Sequence, residues 1–170
     1  MRVLGIDPGT VVIGYGVIDG DADQAELVTC GAFSCPARLG LGERLGRLYE
    51  QVCRVVAEYQ PDTVAVERPF VGRNVSSALA IGKAQAVAIL AAVRHGIPVY
   101  EYTPARIKQR VTSYGGSSKE QVQQMVGLQL GLTEVPEPAD AADALAVALC
   151  HLGEVHLGRL LAEEEPGKHR

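Results

Sequence analysis

The stretch that decides the fold is residues 1–19, MRVLGIDPGTVVIGYGVID, in which two short apolar runs flank a turn-forming DPG. The runs span Arg2 to Ile6 and Val12 to Ile18, and Leu27 to Phe33 repeats their pattern. Apolar and β-branched runs separated by Gly, Pro and Asp are typical of strands joined by tight turns. The sequence therefore predicts that the domain opens with three antiparallel strands.

Further along the chain, strands alternate with helices. Glu43 to Tyr59 has apolar residues at helical spacing, and Thr63 to Glu67 reads as a buried strand. A helix from about Ser76 to His95 precedes a fifth strand, Ile97 to Glu101. This order predicts an α/β fold with a mixed five-stranded sheet, three antiparallel strands then two parallel ones, flanked by helices.

Capping signals place the remaining helices. Thr103 with Pro104 suits the start of a short basic helix, and Ser118 with Gln121 has the spacing of a capping box. Pro138 then opens a helix that is apolar nearly all round. We expect residues 1–155 to form a single domain, and residues 156–170 to form a flexible tail.

The composition excludes several classes of protein. The longest uncharged apolar run, 84–93, is bounded by Lys83 and Arg94 and is far shorter than the roughly 20 residues of a bilayer-spanning helix. The first residues lack the pattern of a secretory signal, and none of the four cysteines forms a C-x-x-C pair. The sequence thus predicts a cytoplasmic protein with reduced thiols and no membrane partner.

Positive charge is concentrated in two segments, although the net charge is -4. Residues 68–83 and 103–119 contain bases and no acid. Such patches could hold nucleic-acid phosphates. The candidate DNA-binding bases are Arg73, Lys83, Arg106, Lys108, Arg110 and Lys119. An exposed Phe70, between Glu67 and Arg73, could stack on bases, or it could equally fill the core.

Four acids are candidates for catalysis. Asp7 and Glu67 each follow a predicted strand, and Asp140 and Asp143 lie three residues apart on one side of the last helix. A turn, a surface ion pair and a first-turn position are ordinary explanations for Asp7, Glu67 and Asp140 respectively. Asp143 has no such explanation, since it lies within an apolar stripe, where a carboxylate needs a partner.

Convergent carboxylates favour a hard divalent ion. Their oxygens suit Mg²⁺ or Mn²⁺ and suit zinc or copper poorly. Two such ions can activate a water molecule and stabilise the leaving oxygen of a phosphodiester. Together with the basic segments, the acids predict hydrolysis of a nucleic-acid strand.

Four blocks of sequence together resemble the RuvC family of Holliday-junction resolvases, over roughly Met1 to His151. They are GIDPGTVVIGYGV, VAVERPFVGRNVSSALAIGKAQAV, ARIKQRVTSYGGSSKEQVQQMV and DAADALAVAL. The resemblance implies an RNase-H-like fold, a homodimer, and two symmetric Mg²⁺-dependent nicks across a four-way DNA junction. It also implies association with the RuvA–RuvB branch-migration complex.

The resemblance also implies roles for single residues. Asp7, Glu67, Asp140 and Asp143 match the catalytic acids that bind two Mg²⁺ ions. Lys108 and Lys119 match lysines that contact DNA near the scissile phosphate, and Phe70 matches an aromatic residue that stacks on junction bases.

Small residues in the middle helix give the dimer independent support, although packing within one chain would use the same residues. They are Ala78, Ala80, Gly82, Ala84, Ala86 and Ala88. Two other functions stay open at this point. One is a small RNase-H-fold nuclease that acts on RNA. The other is a non-catalytic actin-like nucleotide-binding module, which needs a duplicated domain that 170 residues cannot hold.

Overall fold

A mixed sheet of five strands forms the centre of the molecule. The computed structural model describes residues 1–69 and 74–164. The strands are β1 (Arg2–Asp7), β2 (Val12–Gly20), β3 (Ala25–Ser34), β4 (Thr63–Glu67) and β5 (Val99–Tyr102), in the spatial order β3-β2-β1-β4-β5. Strands β1 to β3 are antiparallel, whereas β4 and β5 run parallel to β1. The predicted sheet is confirmed.

Residues 1–69 and 74–164 form five helices, which cover the two faces of this sheet. They are α1 (Leu41–Tyr59), α2 (Val75–Arg94), α3 (Pro104–Thr112), α4 (Lys119–Gln129) and α5 (Ala139–Glu164). The Thr103 side chain accepts a hydrogen bond from the Arg106 amide at the start of α3. At the start of α4, Ser118 and Gln121 form the predicted capping box, each side chain accepting a bond from the other's amide.

The sheet separates two hydrophobic cores, because strand side chains alternate between its faces. On one face, Leu4 and Ile6 pack with the apolar stripes of α1 and α2. On the other face, Val3 and Ala65 pack with α3, α4 and α5. Both faces are therefore covered by helices.

Glycines bring α5 unusually close to the sheet. A Cβ atom at Gly5 of β1 would overlap the backbone of Ala144 and Ala148, and one at Gly14 of β2 would overlap the backbone of Asp140. A Cβ atom at Gly16 would lie 2.6 Å from Leu145. Since only glycine fits at such distances, these strand positions set the depth at which α5 lies.

Helix α5 is longer than the sequence predicts. It continues to Glu164, so that residues 156–164 are helical where we expected a flexible tail. His151 and Leu152, which lie just before this stretch, are buried. Glu154 also binds two arginines of α3. Residues 165–170 lie outside the described part of the chain.

Two helices, α2 and α5, are long and apolar enough to cross a membrane by length and composition alone. Core helices of globular domains pass the same test. In α5, the residues that give this hydropathy, such as Ala144, Leu145 and Val147, are completely buried against the sheet. Packing inside the domain therefore accounts for the apolar character of α5.

Candidate active site

The site is built first on the ends of two neighbouring parallel strands. Asp7 is the last residue of β1 and Glu67 the last of β4, and their predecessors Ile6 and Val66 are paired in the sheet. Parallel strands end at the same edge, so the two acids lie side by side. Carboxyl ends of strands in α/β sheets are where ligand crevices form.

The remaining two acids come from the first turns of α5. Asp140 and Asp143 lie one turn apart, and the close contact of α5 with Gly14 brings the Asp140 backbone onto β2. Gly14 is paired with Asp7 in the sheet. The glycine contacts thus place the start of α5 beside the end of β1, and bring together acids more than 130 positions apart in the chain.

Burial and neighbouring carboxylates raise the pKa values of Asp7 and Glu67. Burial, followed by the charges of Asp143 and Asp140, raises the pKa of Asp7 to about 6. Burial, followed by the charges of Asp7 and Asp143, raises the pKa of Glu67 to about 7. All four predicted acids therefore belong to one electrostatic cluster, which we call the acid cluster (Asp7, Glu67, Asp140 and Asp143).

Two lysines stand beside the acid cluster. The Lys119 ammonium lies 2.5 Å from a carboxylate oxygen of Asp143. Lys108, Lys119, Glu67 and Asp143 all line one cleft of about 200 Å³. The rest of its wall consists of apolar residues from α3, including Pro104, and from α4 and α5. The predicted juxtaposition of an acidic centre with these two lysines is present.

The chemistry of this donor set fits a hard divalent cation. In the structure as it stands, no three described Asp, Glu, His or Cys side chains form a group that could hold an ion, and Lys119 is the cation that contacts the cluster. The cluster contains only carboxylates, and two of them have raised pKa values. Divalent ions relieve this kind of repulsion and accept these ligands.

The structure does not bring the predicted bases Arg106 and Arg110 to the acid cluster. Arg106 lies 2.8 Å from Glu154 of α5, and Arg110 binds the other oxygen of the same carboxylate. Both arginines thus hold α3 against α5 in this structure, and their predicted roles in binding DNA stay predictions. We call Arg106, Arg110 and Glu154 the arginine clamp.

Three further predicted DNA contacts differ in how they are placed. Lys83 is exposed on α2 and is absent from the wall of the cleft. Phe70 and Arg73 lie outside the described residues. Their predicted roles in binding DNA stay predictions.

Sequence reasoning missed two sets of residues that shape the site. The first is Gly5, Gly14 and Gly16, for which a signal existed, because glycine inside a strand often marks close approach of another backbone. The second is Glu154, which carries no local signal. Its partners lie 44 and 48 positions away in the chain, and it stands near the stretch that we expected to be a tail.

A mixed five-stranded sheet, with acids at the ends of its two central parallel strands and on a helix across its face, defines the class as RNase-H-like nucleases. The family model described as "Crossover junction endodeoxyribonuclease RuvC" matches residues 3–151. The crossover junction endodeoxyribonuclease RuvC of Dehalococcoides mccartyi is 56% identical over 151 residues, 89% of this chain and 90% of that protein.

Solved structures agree with this match. The structure of Thermus thermophilus RuvC in complex with Holliday junction substrate is 38% identical, covers 93% of this chain and 96% of its own, and has a TM-score of 0.87. The yeast mitochondrial Holliday junction resolvase Ydc2 shares the fold, with a TM-score of 0.65 and 14% identity. The chain belongs to the RuvC family. It is an endodeoxyribonuclease that resolves Holliday junctions in DNA recombination, and the comparisons support neither the RNA nuclease nor the actin-like module.

Proposed function

We propose that the acid cluster is the catalytic centre, that it binds two Mg²⁺ ions, with Mn²⁺ as a functional substitute, and that it makes paired symmetric nicks. The observation that carries the proposal is the joint rise of the pKa values of Asp7 and Glu67 beside Asp143. Four crowded carboxylates destabilise the protein unless cations occupy the space between them. A selected function explains why the chain maintains them.

Each group in the cleft has a distinct task in this proposal. The four carboxylates hold the ions, which when bound supply an activated water molecule and stabilise the leaving oxygen. Lys108 and Lys119 hold phosphate oxygens, because both line the same cleft as Glu67 and Asp143. The apolar wall residues Ile107 and Val122 keep α3 and α4 in place, with buried side chains.

Paired nicks require two active sites, and we infer that a second copy of this chain supplies the other. Helix α2 has an exposed apolar stripe at heptad-like spacing, for which the described residues provide no cover. The stripe consists of Val75, Leu79, Gly82, Ala86, Leu90 and Val93. Leu79 is 63% exposed and Leu90 53% exposed. Of the small residues expected to face a partner, Ala78, Ala84 and Ala88 instead pack inside their own chain.

A second copy suits this stripe because its flanks are apolar and its centre is small, so that two such helices can approach closely. Light scattering at micromolar concentration should give the mass of a dimer. Leu79→Glu combined with Leu90→Glu should give a monomer with an unchanged circular dichroism spectrum. A wild-type monomer, with or without junction DNA, would refute the dimer.

Two wider assignments rest on family membership. We propose that the chain works in the cytoplasm, where its DNA substrate is, and that it acts together with the RuvA–RuvB branch-migration complex. Co-purification with that complex on a synthetic junction tests the second assignment.

The decisive experiment is nicking of a mobile four-way DNA junction, mapped at nucleotide resolution. We expect cuts at symmetric positions in two opposing strands with Mg²⁺ or Mn²⁺, and none in EDTA. Single-stranded and structured RNA should stay intact under the same conditions. Cleavage in EDTA would refute the metal centre, and cuts in one strand only would refute the paired mechanism.

A further inference from the structure

The contact between Lys119 and Asp143 connects the two halves of the cleft directly. It joins the first residue of α4 to a carboxylate of the acid cluster at 2.5 Å. Asp143 is mostly buried, with 18% of its side chain exposed, whereas 54% of Lys119 is exposed. The ammonium therefore reaches the cluster from the solvent side, where ions and substrate must also enter.

Lys119 acts on the whole cluster. Its hydrogen bond with Asp143 is the main cause that raises its own pKa, and the charges of Asp7 and Asp140 add to the rise. Its charge in turn lowers the pKa values of Asp7 and Glu67, against the larger effect of burial. One ammonium thus partly compensates four carboxylates.

The position of Lys119 in its helix is unfavourable without such an anion. A cation in the first turn opposes the helix dipole, and the capping box of Ser118 and Gln121 fixes where that turn begins. Asp143 compensates for this, in addition to Glu120, the acid in the same turn. The four-carbon side chain of Lys119 can turn away from Asp143 while its backbone stays fixed.

We propose that Lys119 is an internal counter-ion that competes with the divalent metal for Asp143, and that metal binding releases it to face the DNA backbone. This inference rests on the proposed metal centre. In the structure the ammonium contacts the carboxylate of Asp143, and no three described Asp, Glu, His or Cys side chains form a group that could hold an ion. Once the ion replaces it, the same ammonium is free beside the cleft, at the N-terminus of a helix, where an anion is favoured.

Lys119 should therefore have opposite effects on metal binding and on phosphate binding. Lys119 weakens metal binding in the absence of DNA, and it strengthens phosphate binding once the metal is present. A lysine that only contacts DNA would leave metal affinity unchanged, apart from its general positive charge.

The test measures Mn²⁺ binding to the DNA-free protein by electron paramagnetic resonance. The variants are Lys119→Met and Lys108→Met, which remove the same charge from the same cleft, but only Lys119 is paired with Asp143. We expect Lys119→Met to bind Mn²⁺ about fivefold more tightly than the wild type, the value of a partly exposed ion pair. Lys108→Met should change the affinity by less than about twofold.

Outcomes separate this inference from the proposed function. If the wild type binds no Mn²⁺, the metal centre itself is wrong. If the wild type binds and both variants bind equally tightly, Lys119 acts by general charge and the competition is refuted. Unchanged or weaker Mn²⁺ binding by Lys119→Met refutes it as well. Circular dichroism melting of each variant in EDTA confirms that all three proteins are folded.

Discussion

The acid cluster and the arginine clamp each include carboxylates of α5, but they differ in how many cations meet those carboxylates. In the clamp, one carboxylate meets two guanidinium groups. Burial raises the pKa of Glu154, but the hydrogen bonds from Arg106 and Arg110 outweigh it, so that the net shift is downward. In the acid cluster, four carboxylates share Lys119 as the one paired cation among the described residues, and the pKa values of Asp7 and Glu67 rise.

This difference distinguishes an ion pair that stabilises helix packing from a site that can bind a ligand. In the clamp, the single carboxylate is paired with cations, and the group stabilises the packing of two helices. A cluster with more carboxylates than cations destabilises the fold until an external cation binds. Charge balance therefore indicates function more directly than the number of charged residues does.

The largest expected effect concerns nicking of a four-way junction. Glu67→Gln should reduce the nicking rate at least about 100-fold, because it removes a metal ligand. Glu154→Gln should stay within about threefold of the wild type, since the clamp faces away from the cleft. Single-turnover rates with Mg²⁺ measure both effects. Equal losses in the two variants would erase the distinction between the cluster and the clamp.

The next effect tests how the two groups share α5. Gly14→Ala places a methyl group against the backbone of Asp140, and should destabilise the protein by about 1–3 kcal/mol. Urea unfolding measures this, and the nicking rate should fall as well. Gly46→Ala in α1 is the matched control, since nothing lies near its Cβ position. The control should stabilise the helix by up to about 1 kcal/mol.

The third effect is on stability, because repulsion between the carboxylates of the acid cluster destabilises the folded protein. Because the pKa of Asp7 rises to about 6 in the folded state, the wild type loses stability as the pH rises through that value. In EDTA, Asp7→Asn should therefore be more stable than the wild type by about 2 kcal/mol at pH 8. The advantage should be smaller at pH 5 and disappear below about pH 4, where Asp7 is protonated in both the folded and the unfolded state.

Urea titrations at the two pH values measure this difference, and repeating them with Mg²⁺ supplies the control. Bound ions stabilise the wild type, so the advantage of Asp7→Asn should shrink or reverse. A variant that is less stable than the wild type at pH 8 in EDTA would show that the cluster is already balanced.

The smallest effect concerns the clamp alone. Glu154→Gln should cost about 1 kcal/mol of unfolding free energy, because the amide oxygen can still accept one hydrogen bond. The pKa of Glu154 is lowered in the folded state, so the wild-type advantage should be present at pH 7 and fade as the pH falls through the range of that carboxyl group. Unfolding curves at pH 7 and pH 4 show whether it does.

The fold could be predicted from the sequence to a large extent, because its information is local. Alternation of apolar residues marked the strands, and the caps at Thr103 and Ser118 marked two helix starts. The four acids could be selected because strand ends and an apolar helix make a carboxylate conspicuous. The meeting of Asp7 and Glu67 followed from the parallel pairing of β1 with β4, whereas the glycine contacts that bring Asp140 and Asp143 to them were missed.

The rest depended on contacts between distant segments. A count of bases without acids in residues 103–119 grouped Arg106 and Arg110 with Lys108, since the compensating Glu154 lies on another helix. Lys108 projects from a different side of α3 than the two arginines. The arginines, four residues apart, bind α5, whereas Lys108 lines the cleft. No pattern within one segment carries this information.

Helix α5 contributes residues to both the acid cluster and the arginine clamp. The first turns of α5 pack directly against strand glycines. More than two turns further along, Glu154 forms ion pairs with α3. The proposed metal ligands Asp140 and Asp143 and the wall bearing Lys108 are consequently aligned by the same helix, 26 residues long. A shift of that helix along its axis would displace both together, so the distance between them depends on a single helix.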